Sequence, residues 1–367
     1  MIEFQDTPTI EEFFAKAKDT LPKDTLVKDT DNTRDPRVVI ADIHGDYNAF
    51  LESLQYGLEY FKDQDPEVIL LGDLFDRGLD SGEVLDAVIK LINSNIKIKV
   101  LTGNHESMML KAIFEPNFHN ICSWFDNGGL QTLVSFVGLV DSCLNKTDWD
   151  QMLLYSREFD SNQFANFFRS SGFKLQNFLS DLSKTPKIVQ LVDNLDLCLQ
   201  RGQDIYVHGG LMPSFIMSYS DINDWLVSLN ESFRVSLDNF IHHKPIVADQ
   251  TTFDDFLAAS YYRGGDSVAG PLWTDKRDFQ NFSTFDKKLL VGLFNHIGAN
   301  RMVVGHSVVA SPEYLILSSV FDLDFGVLFL DCGISRAYSG VMNAQCLCVD
   351  TQGQSFVLDD NYNFTKL

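Results

Sequence analysis

The sequence predicts an α/β fold, and three features of the chain lead to this prediction. Short runs of apolar, often β-branched residues recur along the chain and have the length of buried strands. Between the early runs, apolar residues fall at helical spacing. Strands and helices that alternate along a chain favour a sheet packed against helices. The predicted strands are Val38–Ala41, Val68–Leu71, Ile98–Leu101, Ile205–Val207, Met302–Val304 and Val327–Leu330.

Two helices are predicted between the first three strands. The first begins after Asp46, whose side chain is placed to cap it, and its apolar positions lie three or four residues apart. The second follows Ser81 with the same spacing. The apolar positions of the two helices are Tyr47, Phe50, Leu51, Leu54, Leu58 and Phe61, then Val84, Leu85, Val88, Ile89 and Ile92.

The domain organisation is predicted from changes in this pattern. Residues 1–36 read as an N-terminal helical extension, in which Thr9-Ile10-Glu11-Glu12 has the spacing of a capping box. Residues 37–367 read as one large domain. Within it, residues from about 115 to 200 are rich in Phe, Asn, Ser and Asp. We predict a largely helical insertion there that caps the core, with Gln163–Phe168 and Leu175–Leu182 as helical pieces.

Charge and composition exclude several classes of protein. Lys and Arg number 29 and Asp and Glu 51, which gives a net charge of 29 − 51 = −22. An acidic surface repels nucleic-acid backbones, so no nucleic-acid partner is expected. The six cysteines have no CxxC spacing and predict free thiols in a reducing compartment. No Sec-type signal and no membrane span is visible, which predicts a soluble, cytoplasmic protein; an effector secreted into a host cell without a Sec signal would share these features.

Five of the predicted strands end in polar residues of the kinds that bind metal ions. In α/β folds the carboxyl ends of strands gather at one edge, so residues far apart in sequence can meet there. Carboxylate, imidazole and amide groups together suit divalent Mn, Fe or Zn. A carboxylate that bridges two metals holds them about 3.5–4 Å apart. The candidate ligands are Asp42, His44, Asp73, Asn104, His208 and His306.

The blocks around these residues resemble the motifs of the calcineurin-like metallophosphoesterase superfamily and, more narrowly, of the PPP phosphoprotein phosphatases. Those motifs are GD-x-HG, GD-x-x-DRG, GNHE, HGG and a late GH, and all five occur here in order between about residues 38 and 340. Ala41 replaces the first Gly, a change that removes no metal-binding side chain. The resemblance implies a β-sandwich core flanked by helices.

The resemblance also implies how the ligands are shared between two divalent metal ions, with Mn²⁺ expected and Fe or Zn as alternatives. Asp42 and His44 would hold the first metal, and Asp73 would bridge both. The second metal would be held by Asn104, His208 and His306. Hydrolysis of a phosphomonoester would proceed by direct attack of a hydroxide that bridges the metals, without a phosphoenzyme.

Three further residues would act on the substrate without binding metal. Arg77 would grip the phosphate together with Asn104, because a planar guanidinium matches phosphate oxygens. His105 would be the general acid, oriented by Asp76. Arg263, in Tyr261-Tyr262-Arg263-Gly264-Gly265, is a weaker candidate for contact with the phosphate.

The chain departs from the eukaryotic Ser/Thr phosphatases after the late His. Ser307-Val308-Val309-Ala310-Ser311-Pro312 does not match their Tyr-containing segment. The segments Val207–Pro213, Gly270–Trp273 and Asp331–Ser335 resemble the bacterial-type branches instead, which include Shewanella-like, Rhizobiales-like and effector phosphatases. Phosphoproteins or phosphopeptides are therefore the expected partners, carrying pSer/pThr or pTyr, and the effector branch would add host-cell proteins.

Two other functions fit the same motifs. The first is a dinucleoside polyphosphate hydrolase of the ApaH-like kind. The Asp76-Arg77-Gly78 triplet favours a protein phosphatase over it. The second is a non-catalytic pseudophosphatase that uses the fold as a binding module. A complete ligand set together with the His105 and Asp76 pair argues against it.

Overall fold

The protein is represented by a computed structural model that describes most of the chain. The described residues are 35–62, 64–141, 144–158, 161–216, 225–242, 270–318, 325–339, 344–358 and 362–367. The predicted helical extension over residues 1–36, with the capping box at Thr9, lies outside them apart from its last two residues. Arg263 also lies outside them.

Two sheets form the centre of the molecule. The strands are β1 (Arg37–Ile40), β2 (Glu67–Leu70), β3 (Ile98–Leu101), β4 (Leu195–Asp196), β5 (Cys198–Arg201), β6 (Asp204–Val207), β7 (Arg301–Val304), β8 (Glu313–Ser318), β9 (Phe325–Phe329), β10 (Leu347–Val349), β11 (Ser355–Leu358) and β12 (Phe364–Lys366). One sheet has the order β12-β11-β10-β1-β2-β3-β4 and the other β5-β6-β7-β9-β8. The six predicted strands are confirmed as β1, β2, β3, β6, β7 and β9.

Helices surround the sheets. They are α1 (Tyr47–Tyr60), α2 (Ser81–Ile92), α3 (Asn104–Phe114), α4 (Phe118–Asp126), α5 (Gly129–Ser135), α6 (Lys146–Glu158), α7 (Ser161–Leu182), α8 (Pro186–Val192), α9 (Pro213–Ile216), α10 (Trp225–Ile241), α11 (Lys276–Gln280), α12 (Thr284–His296) and α13 (Arg336–Ser339). The cap predicted for α1 is confirmed, since the side chain of Asp46 accepts a hydrogen bond from the Ala49 amide.

The two sheets pack face to face, and the alternation of side chains along β1 shows how. Val38 and Ile40 belong to the large core that includes the helices. Val39 belongs to a second core, to which both sheets contribute, for example through Ile69 and Val303. Because successive strand residues point to opposite faces, each sheet carries one apolar face toward the helices and one toward the other sheet. This α/β sandwich flanked by helices agrees with the fold class predicted from the sequence.

Helices also fill the segment in which the insertion was predicted. Between Phe118 and Val192 the described residues form α4 to α8, with a short 3₁₀ turn after α5. The two helical pieces predicted at Gln163–Phe168 and Leu175–Leu182 are confirmed, and both lie in one continuous helix, α7. Buried Phe167 and Leu175 lie about two turns apart on this helix, and both belong to the large core.

No helix among the described residues is both long and apolar enough to cross a bilayer.

The fold brings the carboxyl ends of several strands close together. Strands β1, β2 and β3 run parallel to one another, as do β6, β7 and β9 in the other sheet. Their carboxyl ends therefore meet along one rim of the sandwich.

Candidate functional site

Every ligand predicted from the sequence lies just beyond the carboxyl end of a strand at this rim. The strands that carry them come from both sheets, so the site spans the sandwich. Asp42 and His44 follow β1, Asp73 follows β2, Asn104 and His105 follow β3, His208 follows β6, and His306 follows β7.

Asp73 lies at the centre, and its two carboxylate oxygens face different neighbours. Oδ2 is 3.7 Å from Nε2 of His44 and 3.8 Å from Nε2 of His105. Oδ1 is 3.4 Å from Nε2 of His208. These spacings leave each oxygen directed at a separate group of imidazoles, which is the arrangement expected of a carboxylate that bridges two cations.

The donor atoms form two clusters that share Asp73. The first cluster is His44, Asp73 and His105, and the second is Asp73, His208 and His306; within each, the potential ligand atoms lie within 4.8 Å of one another. Asn104 belongs with the second cluster, because its Oδ1 is 2.9 Å from Nε2 of His208 and 3.0 Å from Nδ1 of His306.

Asp42 flanks the first cluster. Its Oδ2 lies 3.9 Å from Nε2 of His44, and its carboxylate accepts hydrogen bonds from the backbone amide of His306 at 3.0 and 3.2 Å. The structure thus brings together all six predicted ligands. His105, predicted as an acid and not as a ligand, has its Nε2 among the same donor atoms.

Backbone carbonyls orient two of the histidines. Nδ1 of His44 lies 3.1 Å from the carbonyl oxygen of Phe75, and Nδ1 of His208 lies 3.0 Å from that of Leu71. A carbonyl only accepts, so Nδ1 must carry the proton in both residues. When either ring is neutral, its lone pair is on Nε2 and points into the site, which is how metal-binding histidines are commonly held.

Burial gives the site an unusual charge balance. Burial raises the pKa of Asp42 well above its usual value, and the carboxylate of Asp331 adds to the rise. Burial would also raise the pKa of Asp73, but the imidazoles of His208 and His105 hold it well below its usual range. Burial lowers the pKa of His306 to about 3, with help from His208, and so keeps that ring neutral.

The pKa of His208 shows that the carboxylates of the site favour a positive charge between them. Burial would lower its pKa, but Asp73 and Asp42 raise it to about 10. An imidazole that lies between carboxylates takes up a proton when no other cation is near. The same position favours a divalent metal ion, so the donor set, the burial and the charge of the site fit a pair of divalent cations.

Asp331, which follows β9, is a further acidic residue at this rim, and sequence reasoning gave it no role. Burial raises its pKa to about 6, and Asp73 contributes through like charge. Its Oδ1 accepts from the Gly333 amide at 2.9 Å, while Oδ2 is buried and has no hydrogen-bond partner among the described residues. A buried carboxylate oxygen without a donor is costly unless a cation lies close by. The signal was available in the sequence, because Asp331 also ends a predicted strand.

Glu106 holds the backbone around Asp73 in place through hydrogen bonds. Its side chain accepts hydrogen bonds from the amides of Asp73 at 2.7 Å, Leu74 at 2.8 Å and Gly103 at 2.8 Å. A Cβ at Gly103 would collide with Oδ1 of Asp73, so this position admits only glycine. The GNHE motif therefore supplies a ligand in Asn104 and also the support that holds Asp73 in place.

The backbone of the site is strained. Among the described residues, six non-glycine residues have a left-handed φ, and five of them are His44 at 46°, Asp73 at 50°, Asp76 at 72°, Arg77 at 69° and His306 at 59°. Among non-glycine residues, asparagine, aspartate and histidine adopt this region more often than others, so Arg77 is the least usual of the five. Such strain concentrates where a fold must aim side chains at a common point.

Arg77 reaches into the site from the loop after β2. Its guanidinium lies 2.9 Å from Nε2 of His44 and 3.1 Å from Nε2 of His105, through different Nη atoms. Nδ1 of His105 lies 2.7 Å from Oδ2 of Asp76. Arg77, His105 and Asp76 thus meet at the first cluster. Of the other residues predicted to contact the phosphate, Asn104 lies at the second cluster and Arg263 lies outside the described residues.

Arg336, a neighbour of this rim, does not reach the cluster. Its guanidinium donates to the carboxylate of Asp46 at 2.9 and 3.1 Å and to Asp80 at 3.1 Å. These bonds tie α13 to the starts of α1 and α2, which is a structural role. Two residues that do approach the site, Trp124 and Thr132, were not predicted, because they belong to the helical insertion.

The family model described as calcineurin-like phosphoesterase matches residues 36–309. The chain belongs to this family. Two curated relatives resemble parts of this chain. The zinc-dependent endopolyphosphatase of Saccharomyces cerevisiae is 24% identical over 188 residues, which are 50% of each chain. A protein phosphatase 2A catalytic chain of Dictyostelium discoideum is 30% identical over 115 residues, 31% of this chain and 34% of the relative.

The chain thus spans about half the length of the first of these relatives and about a third of the second. Among solved structures, the cold-active protein-tyrosine phosphatase of a psychrophilic Shewanella species is similar in fold, with a TM-score of 0.55. The likeness covers 91% of this chain and 80% of that one at 17% sequence identity. At that identity the likeness supports the shared fold alone.

Proposed function

We propose that this phosphoesterase is a metal-dependent protein phosphatase that hydrolyses phosphomonoesters. One observation carries the proposal: Asp73 presents Oδ2 to His44 and Oδ1 to His208, with a complete set of nitrogen and oxygen donors on both sides. A site for one cation would not need a central carboxylate with donors on both flanks. Two adjacent cations are the usual means of catalysing displacement at phosphorus.

The residues that would hold the two metals follow from the clusters. Asp42 and His44 would hold one metal, Asp73 both, and the other would be held by Asn104, His208 and His306. We propose Mn²⁺, because mixed carboxylate, amide and imidazole donors suit it, with Fe and Zn as alternatives. Bound metals supply positive charge to the phosphate oxygens and lower the pKa of water.

Arg77 is proposed to bind the phosphate. Its two Nη atoms reach the rings of His44 and His105, so the guanidinium plane lies over the first cluster. A planar fork of this kind donates two parallel hydrogen bonds to phosphate oxygens. Asn104, whose Oδ1 lies 2.9 Å from Nε2 of His208 in the second cluster, is proposed as the other phosphate contact.

His105 and Asp76 are proposed to deliver a proton to the leaving oxygen. The carboxylate of Asp76 accepts from Nδ1 of His105, which leaves Nε2 directed into the site. Nε2 is the atom that would hold the proton for the departing alcohol or phenol. General acid catalysis of this kind is worth about 10²–10⁴-fold in rate.

A protein substrate is proposed on the partial likeness to protein phosphatases. The relative from Dictyostelium is named a protein phosphatase, and it matches this chain at 30% identity over the shared segment. The phosphopeptide panel described below compares pSer, pThr and pTyr and so also tests the preference among them. The partial likeness to an endopolyphosphatase makes phosphoanhydrides the natural comparison.

The test begins with p-nitrophenyl phosphate, using protein stripped of metal and then loaded with Mn²⁺, Zn²⁺ or Fe²⁺. We expect turnover that requires metal and is highest with Mn²⁺. A panel of pSer, pThr and pTyr peptides is then compared with diadenosine tetraphosphate and inorganic polyphosphate. Faster hydrolysis of the phosphopeptides supports the proposal, and faster hydrolysis of either anhydride overturns the substrate class. Absence of all turnover from metal-loaded protein overturns the enzymatic role.

A further inference from the structure

Two side chains of the helical insertion hold the carboxylate of Asp76. Oδ1 accepts hydrogen bonds from Nε1 of Trp124 at 2.9 Å and from the hydroxyl of Thr132 at 2.7 Å. Oδ2 accepts from Trp124 at 3.1 Å and lies 2.7 Å from Nδ1 of His105. All four residues are buried. The insertion, which lies after the GNHE motif in sequence, therefore reaches back to the pair proposed to supply the proton.

Every donor and acceptor position of the Thr132 hydroxyl takes part in a hydrogen bond. Its hydroxyl donates its one proton to Asp76 and accepts from the Asp76 backbone amide at 2.8 Å. The hydroxyl of Ser81, 3.0 Å away, must then be the donor in the remaining bond. Thr132 thus holds both the side chain and the backbone of Asp76.

These contacts decide which nitrogen of His105 carries a proton. Three donor groups, the Trp124 indole, the Thr132 hydroxyl and Nδ1 of His105, converge on the two oxygens of Asp76. Asp76 accepts all of these bonds, so Nδ1 of His105 donates and keeps its proton. Nε2 is then the ring nitrogen that faces the site, 3.1 Å from a guanidinium nitrogen of Arg77.

The corner between α4 and α5 also supports the phosphate-binding arginine. The amide of Arg77 donates to the carbonyl oxygen of Gly128 at 3.1 Å. A Cβ at Gly128 would lie 2.7 Å from the backbone nitrogen of Arg77, and Gly128 itself has φ of 98°. Asp76 and Arg77 both have a left-handed φ, so an external partner is needed to keep this strained dipeptide in place.

We propose that Trp124, Gly128 and Thr132 are positioning residues for catalysis, which fix His105 through Asp76 and fix Arg77 through its backbone. This inference rests on the proposed function, because it assumes that His105 supplies a proton to the leaving group. The helical insertion then contributes to the chemical step itself as well as surrounding the site. None of the three residues touches substrate on this proposal.

A proton donor matters most when the leaving group is poor, and this separates positioning from a general structural role. p-Nitrophenolate leaves readily without a proton, whereas phenolate and the alkoxide of serine do not. A variant that misplaces His105 should therefore lose more activity on phenyl phosphate and a pSer peptide than on p-nitrophenyl phosphate. A variant that only damages the fold should lose activity equally on all of them.

The experiment compares Thr132→Val, Trp124→Phe and Thr132→Ser with the parent protein, each loaded with the same metal. We expect Thr132→Val and Trp124→Phe to lower kcat on phenyl phosphate by about tenfold or more, because a hydrogen bond to a charged group usually contributes that much. The same two variants should lower kcat on p-nitrophenyl phosphate far less. KM for phenyl phosphate should change little, because Gly128 still holds Arg77 against the phosphate. Thr132→Ser retains the hydroxyl and should restore most of the activity.

Trp225→Phe is the matched control. Trp225 is as buried as Trp124, and its indole nitrogen has no hydrogen-bond partner within the described part of the chain. We expect Trp225→Phe to change kcat by the same factor on phenyl phosphate and on p-nitrophenyl phosphate. In a His105→Asn background, Thr132→Val should have no further effect on phenyl phosphate, because the group that it positions is gone. Equal losses on both esters, or additive losses in the double variant, would overturn the inference.

A second measurement does not depend on turnover. The indole N–H resonance of Trp124 should move when Asp76 is replaced by Asn, while the resonance of Trp225 should not. If the parent protein hydrolyses no phosphomonoester, the proposed function fails, and an unmoved Trp124 resonance then separately overturns the positioning contact.

Discussion

The side chain of Glu106 holds the backbone of Asp73, with Oε2 2.7 Å from the Asp73 amide nitrogen. The same oxygen accepts from Gly103 and the other one from Leu74. Burial raises the pKa of Glu106 to about 7, and Asp73 adds to the rise. A residue with no contact proposed for metal or substrate thus determines where the central carboxylate of the site lies.

Glu106→Ala should therefore destabilise the protein before metal is added. Three buried amides would lose their acceptor, and each unsatisfied group costs about 1–3 kcal/mol. We expect a loss of about 3 kcal/mol or more in the free energy of unfolding of metal-free protein, measured by urea denaturation. Glu106→Gln keeps one acceptor oxygen and should lose less. Exposed Glu231 provides the control, and unchanged stability of Glu106→Ala would refute the supporting role.

Asp73→Asn should abolish turnover and reduce metal content together. The amide cannot offer two anionic oxygens, one to each cluster. Elemental analysis of purified protein gives the metal content, and p-nitrophenyl phosphate gives the activity. Asp150→Asn, at an exposed position, should change neither. Full metal content with retained turnover in Asp73→Asn would show that the metals lie elsewhere.

His105→Asn distinguishes an acid from a ligand. Nε2 of His105 lies within the first cluster, so both roles are geometrically open. As the general acid, its loss should slow turnover about 10²–10⁴-fold while both metals remain bound. Exposed His119 supplies the control substitution. Loss of one metal equivalent in His105→Asn would make His105 a ligand instead.

Arg77→Ala should weaken phosphate binding. A hydrogen-bonded charge interaction is worth about 1.5–3 kcal/mol, so KM for a phosphomonoester should rise about 10- to 100-fold. Arg77→Lys keeps the charge but loses the planar fork and should recover only part of the loss. Inhibition by inorganic phosphate, measured in parallel, should weaken to the same extent. Arg169→Ala, at an exposed position of α7, serves as the control, and equal KM in both variants would argue against the phosphate contact.

The helical insertion should show acid-dependent stability through Asp148. Burial would raise its pKa, but hydrogen bonds from the Asn145 amide, Lys174 and Ser171 lower it below the usual value. A carboxyl group with a lowered folded pKa stabilises the protein above its unfolded pKa, and this contribution is lost as pH falls through the folded pKa. Asp148→Asn should therefore be less stable than the parent near neutral pH, and the difference should shrink at pH values below the usual aspartate pKa. A difference independent of pH would exclude this cause.

Much of the site could be predicted from the sequence, because the signal for each ligand lies in a short segment around it. Each ligand follows a short apolar strand within a few residues, so the sequence shows both the donor and the strand end that places it. What it does not show is which oxygen of Asp73 faces which cluster, since that depends on how the two sheets pack. The Trp124 and Thr132 contacts also escaped prediction, because these residues lie 48 and 56 positions from Asp76 on helices with ordinary apolar patterns.

The C-terminal strands escaped prediction for a different reason. Strand β10 has only three residues and β12 has three, which is too short for a periodic pattern to stand out. Their position in the sheet comes from pairing with distant strands.

The pairing of β1 with β10 has a consequence for the order in which the molecule is completed. Arg37 pairs with Val349, so the strand that precedes Asp42 and His44 receives one of its two neighbours only after Val349 has been synthesised. His208 and His306 arrive in between, on the other sheet. A nascent chain therefore cannot assemble the full ligand set early in translation, and its capacity to bind metal should mature late.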